Sequence, residues 1–283
     1  MALANLAALS VQPDAAATDG RRLAPLIGSL AGAVWPKLAA LALAVAGWQI
    51  VVWSGWRAEY ILPSPFTVFD RFASDLGEVD TWEAVGTTMR RAGVGFALAL
   101  AVGVVLGLAV ARSTVLRTAV GSLITGLQTM PSITWFPAAI VLFGKSESAM
   151  LFVVVLGAAP SIANGVIAGV DQVPPLLLRA GHALGARHLG SLWHITIPAA
   201  LPSVVAGIKQ GWAFAWRSLM AGELLILVVG TRSIGVDLDQ ERFNADYPGL
   251  YSTMLLVLCI GILVDALGFG TVDRSIRRRR GLL

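Results

Sequence analysis

Apolar positions in this chain come in long unbroken blocks separated by short polar stretches. About 18 or more consecutive apolar residues are long enough to cross a hydrocarbon layer roughly 30 Å thick. The pattern predicts six spanning helices, Leu38–Trp56, Ala92–Ala111, Val120–Phe143, Ala149–Val170, Leu201–Val229 and Leu250–Phe269. The fold class expected is an all-α, polytopic helical bundle in a membrane. Leu23–Trp35 is too short to cross and reads as an interfacial amphipathic lead-in. The first twenty-odd residues do not read as a signal peptide, because Arg21 and Arg22 follow the mildly apolar stretch and Pro13 and Asp14 interrupt it. The division expected is therefore 1–37 tail and lead-in, 38–270 transmembrane domain with a polar excursion at 171–200, and 271–283 basic tail.

Composition agrees with the pattern, with 56% hydrophobic and 13% charged residues among 283, where soluble domains carry about 25% charged residues. The basic residues also set a direction. Connections on one side hold twelve Lys/Arg, among them Arg21, Arg22, Lys37, Arg112, Arg117, Arg179, Arg187 and Arg274, against four acids. The other side holds seven Lys/Arg and eleven acids, including Asp75, Glu78, Asp80, Glu83, Asp237, Asp239 and Glu241. Both termini are expected in the cytoplasm. Trp53 and Trp56 then fall in the outer aromatic belt, with Trp35 and Trp193 near the inner one. The net charge of +4 follows from this asymmetry and suits anionic membrane lipid, not nucleic acid.

Small residues mark helix contacts. Gly103 and Gly107 lie one turn apart, and Gly157, Ser161, Gly165 and Gly169 recur every fourth residue. Such stripes let a neighbouring backbone approach closely, either within one chain or at a dimer seam or moving surface. Pro131 and Pro137 are expected to break the third span, and Pro160 the fourth. Gln128, Ser132, Ser161 and Asn164 cluster at those breaks, as a polar pathway lining or as interhelical hydrogen bonds.

Intramembrane charges are functional candidates by default. The fifth span carries Lys209, Arg217 and Glu223, and the sixth carries Asp265. Lys209, Trp212, Trp216, Met220 and Glu223 share one helix face by their spacing. Arg217 either pairs internally with Glu223 or Asp265, or attracts an anionic solute. Catalytic chemistry has no seat. Phe143-Gly144-Lys145-Ser146 imitates the end of a phosphate-binding loop, but its required first glycine is Ala139. His182, His188 and His194 are spaced six and six, unlike the three or four of metal-binding helical pairs. No metal, cofactor or catalytic set is expected. Cys259 stands alone in an apolar block and excludes an internal disulfide.

Between the fourth and fifth spans, Asp171 to Pro202 forms a polar excursion, opened by Pro174-Pro175 and closed by Pro198 and Pro202. Apolar and basic positions alternate there at helical spacing, and Gly185 is placed to divide it into two short helices. Leu184, Leu189 and Leu192 are then available either to a groove on another protein or to a lipid surface.

Arg179-Ala180-Gly181, Gly185-Ala186, Ile195 or Ile197, Pro198 and Leu201-Pro202 resemble the E-A-A-x3-G-x9-I-x-L-P loop of permease subunits in bacterial ATP-binding-cassette importers. ILPSPFTVFDRF (61–72), QTMPSITWFPAAIVLFGKSE (128–147) and WRSLMAGELL (216–225) are similar to the nitrate, sulfonate, taurine and bicarbonate branch. Arg179 stands where the motif has glutamate, and Gly181 where it has its second alanine. The resemblance implies a coupling helix around Ala180–Leu192 docked in a separate ATPase subunit, with Arg179, Ala180, Gly181, Leu184, Gly185, Ala186, Leu189, Pro198 and Pro202 as contact or shape residues. It implies an extracytoplasmic solute-binding protein, a permease homodimer and a small anion or a thiamine-precursor pyrimidine as solute. Pathway candidates are Gln128, Ser132, Ser161, Asn164, Trp212, Trp216, Arg217 and Glu223. A self-sufficient secondary transporter would instead carry inverted repeats with matched charges in both halves. A membrane enzyme would need a catalytic set.

Overall fold

The computed structural model describes residues 24–186, 189–226, 228 and 230–279. The expectations for the N-terminal tail, Arg187, His188 and the last four residues, and for the Leu189 side chain, lie outside what it describes. All its regular elements are helical among those residues. Among the described residues, five helices are long and apolar enough to cross a membrane, or six if one bent pair counts as a span.

The first compact unit ends at Pro65 and contains α1, Ala24–Trp53. This helix runs through Pro36 without a break, so the expected lead-in and first span are one element.

In the second unit, α2 (Pro65–Asp75) precedes α3 (Val79–Arg112), α4 (Thr114–Thr129), a 3₁₀ turn at Ser132–Trp135, α5 (Phe136–Phe143) and α6 (Glu147–Asp171). The chain continues as α7 (Pro175–Ala183), α8 (Leu189–Ser191), a π-helical turn at Leu192–Thr196 and α9 (Ile197–Leu225). It ends with α10 (Ile234–Phe243), α11 (Tyr247–Val264), a second π turn at Asp265–Phe269 and α12 (Gly270–Arg279).

Helix α6 is the centre of this unit, with α3 on one face and α9 on another. The small-residue stripes make these contacts. A Cβ on Gly103 would stand 2.7 Å from the Ala159 carbonyl of α6, and one on Gly165 only 2.6 Å from the Gly207 Cα of α9. Backbone touches backbone at these crossings, which is how apolar helices associate where no hydrophobic drive exists. Ala99, Ala158, Ile162, Ala215 and Leu219 fill the spaces between. Among the two uses the stripes allowed, packing within the chain is the one observed.

Two proline expectations divide. The third span bends by 104° between α4 and the 3₁₀ turn at Pro131, while Pro137 merely occupies the first turn of α5, where its missing N–H costs nothing. Pro160 does not break α6. It is buried at the Ala158–Ala163 core, between the contacts of α6 with α3 and α9. Helix α3 is also longer than its predicted span, beginning at Val79, because Thr88 and Arg91 lie inside the packed interior.

Candidate functional site

At one end of the bundle, the α6–α9 connection is held by polar clasps at its base. Arg117 donates to both carboxylate oxygens of Asp171 at 3.0 and 2.8 Å, and Ser203 donates to Gln172 at 2.8 Å. Pro175 starts α7 at a position suited to proline. Gly185, at φ +87°, reverses the chain in the left-handed region that glycine adopts without steric cost. The Ala186 N–H then donates to the Gly181 carbonyl at 2.9 Å, a six-to-one closure of the α7 end.

The returning arm packs on α7 at Gly181, where an added Cβ would stand 1.9 Å from Ile195 Cδ1. An alanine at this position, as in the motif, would press on the end of the Ile195 side chain. Between the two arms lies an open groove of about 850 Å³, lined by Leu177, Ala180, Gly181, Ala186, Ile195 and Pro198 among others. Leu184 projects beside it with 89% of its surface exposed, and Leu176 and Trp193 are exposed as well.

The helix in this excursion is Pro175–Ala183, not Ala180–Leu192, because the proline pair starts it early and Gly185 stops it. Arg179 is exposed on α7. Pro202 does not close the excursion. It lies inside α9, which already begins at Ile197. Ala180, Gly181, Leu184, Ala186 and Pro198 line the groove, while Gly185 forms its turn.

The pathway candidates separate into two groups. Asn164 donates to Gln128 at 2.5 Å, and Ser218 to Ser132 at 2.8 Å. Ser161 is buried beneath the α6–α9 crossing. The Asn164–Gln128 and Ser218–Ser132 pairs are interhelical bonds, whereas the Ser161 hydroxyl has no hydrogen-bond partner among the described residues. Trp212, Trp216 and Arg217 instead face an open groove of about 540 Å³ beside α11, together with Lys209, Gly261 and Asp265. The two indole rings stack at 6.3 Å, and Phe96 meets Trp212 edge-on at 5.2 Å. Arg217 pairs with neither Glu223 nor Asp265, contrary to the internal-pairing reading. Its Nε donates to the Ala213 carbonyl of its own helix, and its guanidinium lies over Phe214 at 4.9 Å. Lys209 holds Asp265.

Glu223 is taken by a residue that sequence reasoning placed outside the spans. Arg91, 1% exposed, meets Glu223, 0% exposed, with Nη1 to Oε1 at 2.9 Å. The second Glu223 oxygen accepts from Thr88 Oγ1 at 2.9 Å and from the Gly235 N–H at 3.1 Å. Arg91 Nη2 donates to Thr231 at 3.1 Å, and Arg90 meets Glu147 at 2.9 Å. This network ties α3, α6, α9 and the start of α10 at the end opposite α7. Glu223 is therefore a structural anchor in this conformation, not a lining residue. The signal was present, since Thr88, Arg91, Gly95, Ala99, Gly103 and Gly107 continue one helical stripe.

Beside it, Glu241 on α10 sits over a cavity of about 60 Å³ shared with Arg71, Asp75, Arg232 and Asp237. Burial pushes its carboxyl up to about 7, opposed by the hydrogen bond from Thr253 and reinforced by Asp237, Asp246 and Asp75. No group of acids, histidines or cysteines is arranged to hold a metal among the described residues. The Gly144-Lys145-Ser146 stretch is a helix–helix turn, with Ser146 capping α6 through the Ala149 N–H.

The family described as "Binding-protein-dependent transport system inner membrane component" matches residues 99–281, which takes in both grooves and the connection between them. The chain belongs to that family. The permease is 25% identical over 204 residues to the taurine transport system permease protein TauC of Escherichia coli (strain K12), covering 70% of this chain and 73% of that one. It is 27% identical over 238 residues to the nitrate import permease protein NrtB of Synechocystis sp. (strain ATCC 27184 / PCC 6803 / Kazusa), covering 80% and 83%. Its fold is that of the solved structure titled "Inward facing conformations of the MetNI methionine ABC transporter", at a TM-score of 0.52 and 21% identity, over 69% of this chain and 93% of that one. The permease is thus a multi-pass membrane subunit of an ABC importer, and its family implies an ATPase and a binding protein as partners.

Proposed function

We propose that this permease forms the pathway for a small anion of the sulfonate, nitrate or bicarbonate type, and that the α7 connection receives the force of a separate ATPase. The observation that carries the coupling role is the built shape of that connection. Arg117–Asp171 and Ser203–Gln172 brace its stems, and α7 presents Leu176, Leu177 and Leu184 beyond the bundle. A rigid, apolar-tipped knob on braced stems suits insertion into a protein cleft. Hydrolysis then occurs in the partner, and movement of α7 passes directly into α6 and α9.

The imbalance of basic residues supports a cytoplasmic position for this connection and for both termini. The exposed apolar faces of α3 and α11 suit lipid and a second permease copy. The anion reading is supported by Lys209 and Arg217 on the groove of α9 and by the solutes in the relatives' names. The stacked Trp212 and Trp216 also favour, as a second reading, a flat ring such as a thiamine-precursor pyrimidine.

The test has two parts. Thermal-shift screening of the partner binding protein against taurine, nitrate, bicarbonate and pyrimidines identifies the solute class, and an exclusive pyrimidine response overturns the anion reading. Gly185→Asp places a side chain at φ +87° and is expected to abolish uptake and solute-stimulated ATPase activity while the protein stays in the membrane. Normal uptake by this variant contradicts the coupling role.

A further inference from the structure

The groove between α9 and α11 contains a half-exposed ion pair. Lys209 Nζ contacts both Asp265 oxygens, at 2.9 and 3.1 Å, and the two side chains are 42% and 50% exposed. Lys209 stands about 18 Å along a helix about 43 Å long, at ~1.5 Å per residue, close to mid-span. A half-exposed ion pair at that depth faces water or protein, not hydrocarbon. Asp265 opens the π-helical turn Asp265–Phe269, a feature that recurs in helices at functional sites. Helix α11 packs mainly on α10, so the pair bridges its far end to α9. Trp212, Trp216 and Gly261 form apolar walls, and Arg217 adds a second cation that makes no ion pair among the described residues. Two cations and one carboxylate leave the groove with an excess of positive charge.

We infer that this groove is a small-anion subsite in which Asp265 is a resident counter-anion on Lys209, displaced when a solute anion arrives. The inference deepens the anion reading above and rests on it. An arriving nitrate, bicarbonate or sulfonate group takes Lys209, with Arg217 drawing it along the same wall. Release of Asp265 frees the end of α11 from α9, so occupancy is communicated to the bundle through a bond that breaks only when solute replaces it.

The pair as a plain structural bridge makes a different prediction, because both single substitutions then act in the same direction. The full permease–ATPase complex is placed in nanodiscs and its thermal stability titrated with sodium nitrate, sodium bicarbonate and taurine, at ionic strength held constant with sodium gluconate. Wild type is stabilised by at least one of the three. Asp265→Asn removes the competitor and lowers the half-saturating concentration by about two- to fivefold, the scale of a partly exposed ion pair. Lys209→Gln raises it at least about fivefold or abolishes the response, and Lys209→Arg retains it, showing that the charge and not the assembly is at issue. Changes of the same sign in Asp265→Asn and Lys209→Gln, or a wild type that responds to none of the three, overturn the subsite. Uptake by the complete importer is scored separately. Anion transport with a flat titration removes only the subsite, whereas opposite shifts with a binding protein that ignores anions remove only the solute reading.

Discussion

Cutting the buried Arg91–Glu223 pair on one side exposes how much of the bundle rests on it. Glu223→Ala leaves the buried Arg91 guanidinium with only the longer contact to Glu147, 3.6 Å from its Nε, and orphans the Thr88 hydroxyl and the Gly235 N–H that Glu223 accepts from. Removing one partner of a buried pair costs about 3–5 kcal/mol, and each orphaned donor adds roughly 1 kcal/mol. At ~2–4 °C per kcal/mol for a chain of this size, the midpoint of thermal unfolding falls by about 10 °C or more. The double variant Arg91→Met, Glu223→Leu removes both charges and keeps apolar volume. It is expected to recover at least about 2 kcal/mol of that loss, since apolar replacements of buried pairs are often close to neutral. Detergent-solubilised protein heated in steps and followed by size-exclusion chromatography reads these midpoints. A Glu223→Ala midpoint within ~2 °C of wild type, against the shift expected from the scaling above, refutes the reasoning. So does a double variant whose loss is the sum of the two singles.

Other consequences follow from the same contacts. Gly165→Val drives a side chain into the Gly207 backbone, 2.6 Å from an added Cβ; it is expected to cost more than about 3 kcal/mol and to appear as loss of folded protein in the membrane fraction. Gly181→Ala presses on the end of Ile195, a flexible tip 1.9 Å away, so it weakens uptake and Ile195→Ala restores it in the double variant. Glu241 titrates near 7 where an ordinary glutamate stands at 4.5. Its folded form holds the proton more tightly, so its contribution to stability falls as pH rises from about 4.5 to 7 and is least above that window. Glu241→Gln is expected to gain roughly 1 kcal/mol at pH 8, after discounting for partial exposure, and nothing at pH 4, read as the variant-minus-wild-type difference in melting midpoint.

The six apolar blocks were legible because a hydrocarbon layer imposes a minimum length on anything that crosses it. Stripe residues announced the α3–α6–α9 crossings, since only small side chains permit backbone contact without a hydrophobic drive. The turn at Gly185 was visible from residue type alone. The sequence did not reveal partners distant along the chain. Arg91 stood just outside the predicted span Ala92–Ala111, and its partner Glu223 lies far away in the chain. Lys209 and Asp265 showed the same difficulty, and Arg217 was offered both carboxylates yet holds neither. Pro160 misled for a different reason. Proline removes one helix hydrogen bond, but α6 continues through it as one helix packed by α3 and α9. Gln128, Ser132, Ser161 and Asn164 read equally well as lining or as glue; Gln128–Asn164 and Ser132–Ser218 are hydrogen-bonded in this structure, while the Ser161 hydroxyl is buried without a partner among the described residues.

The coupling role is tested most directly at Leu184, the most exposed apolar side chain of the α7 turn. With the native Cys259 replaced by serine, Leu184→Cys is labelled with a maleimide-benzophenone, whose photoactivated ketone inserts into neighbouring C–H bonds, and irradiated in membranes containing the whole importer. The structure of the connection leads us to expect a covalent product with the ATPase subunit, together with loss of solute uptake. Full transport with no such product, or concentrative uptake by the purified permease alone in liposomes, contradicts the account.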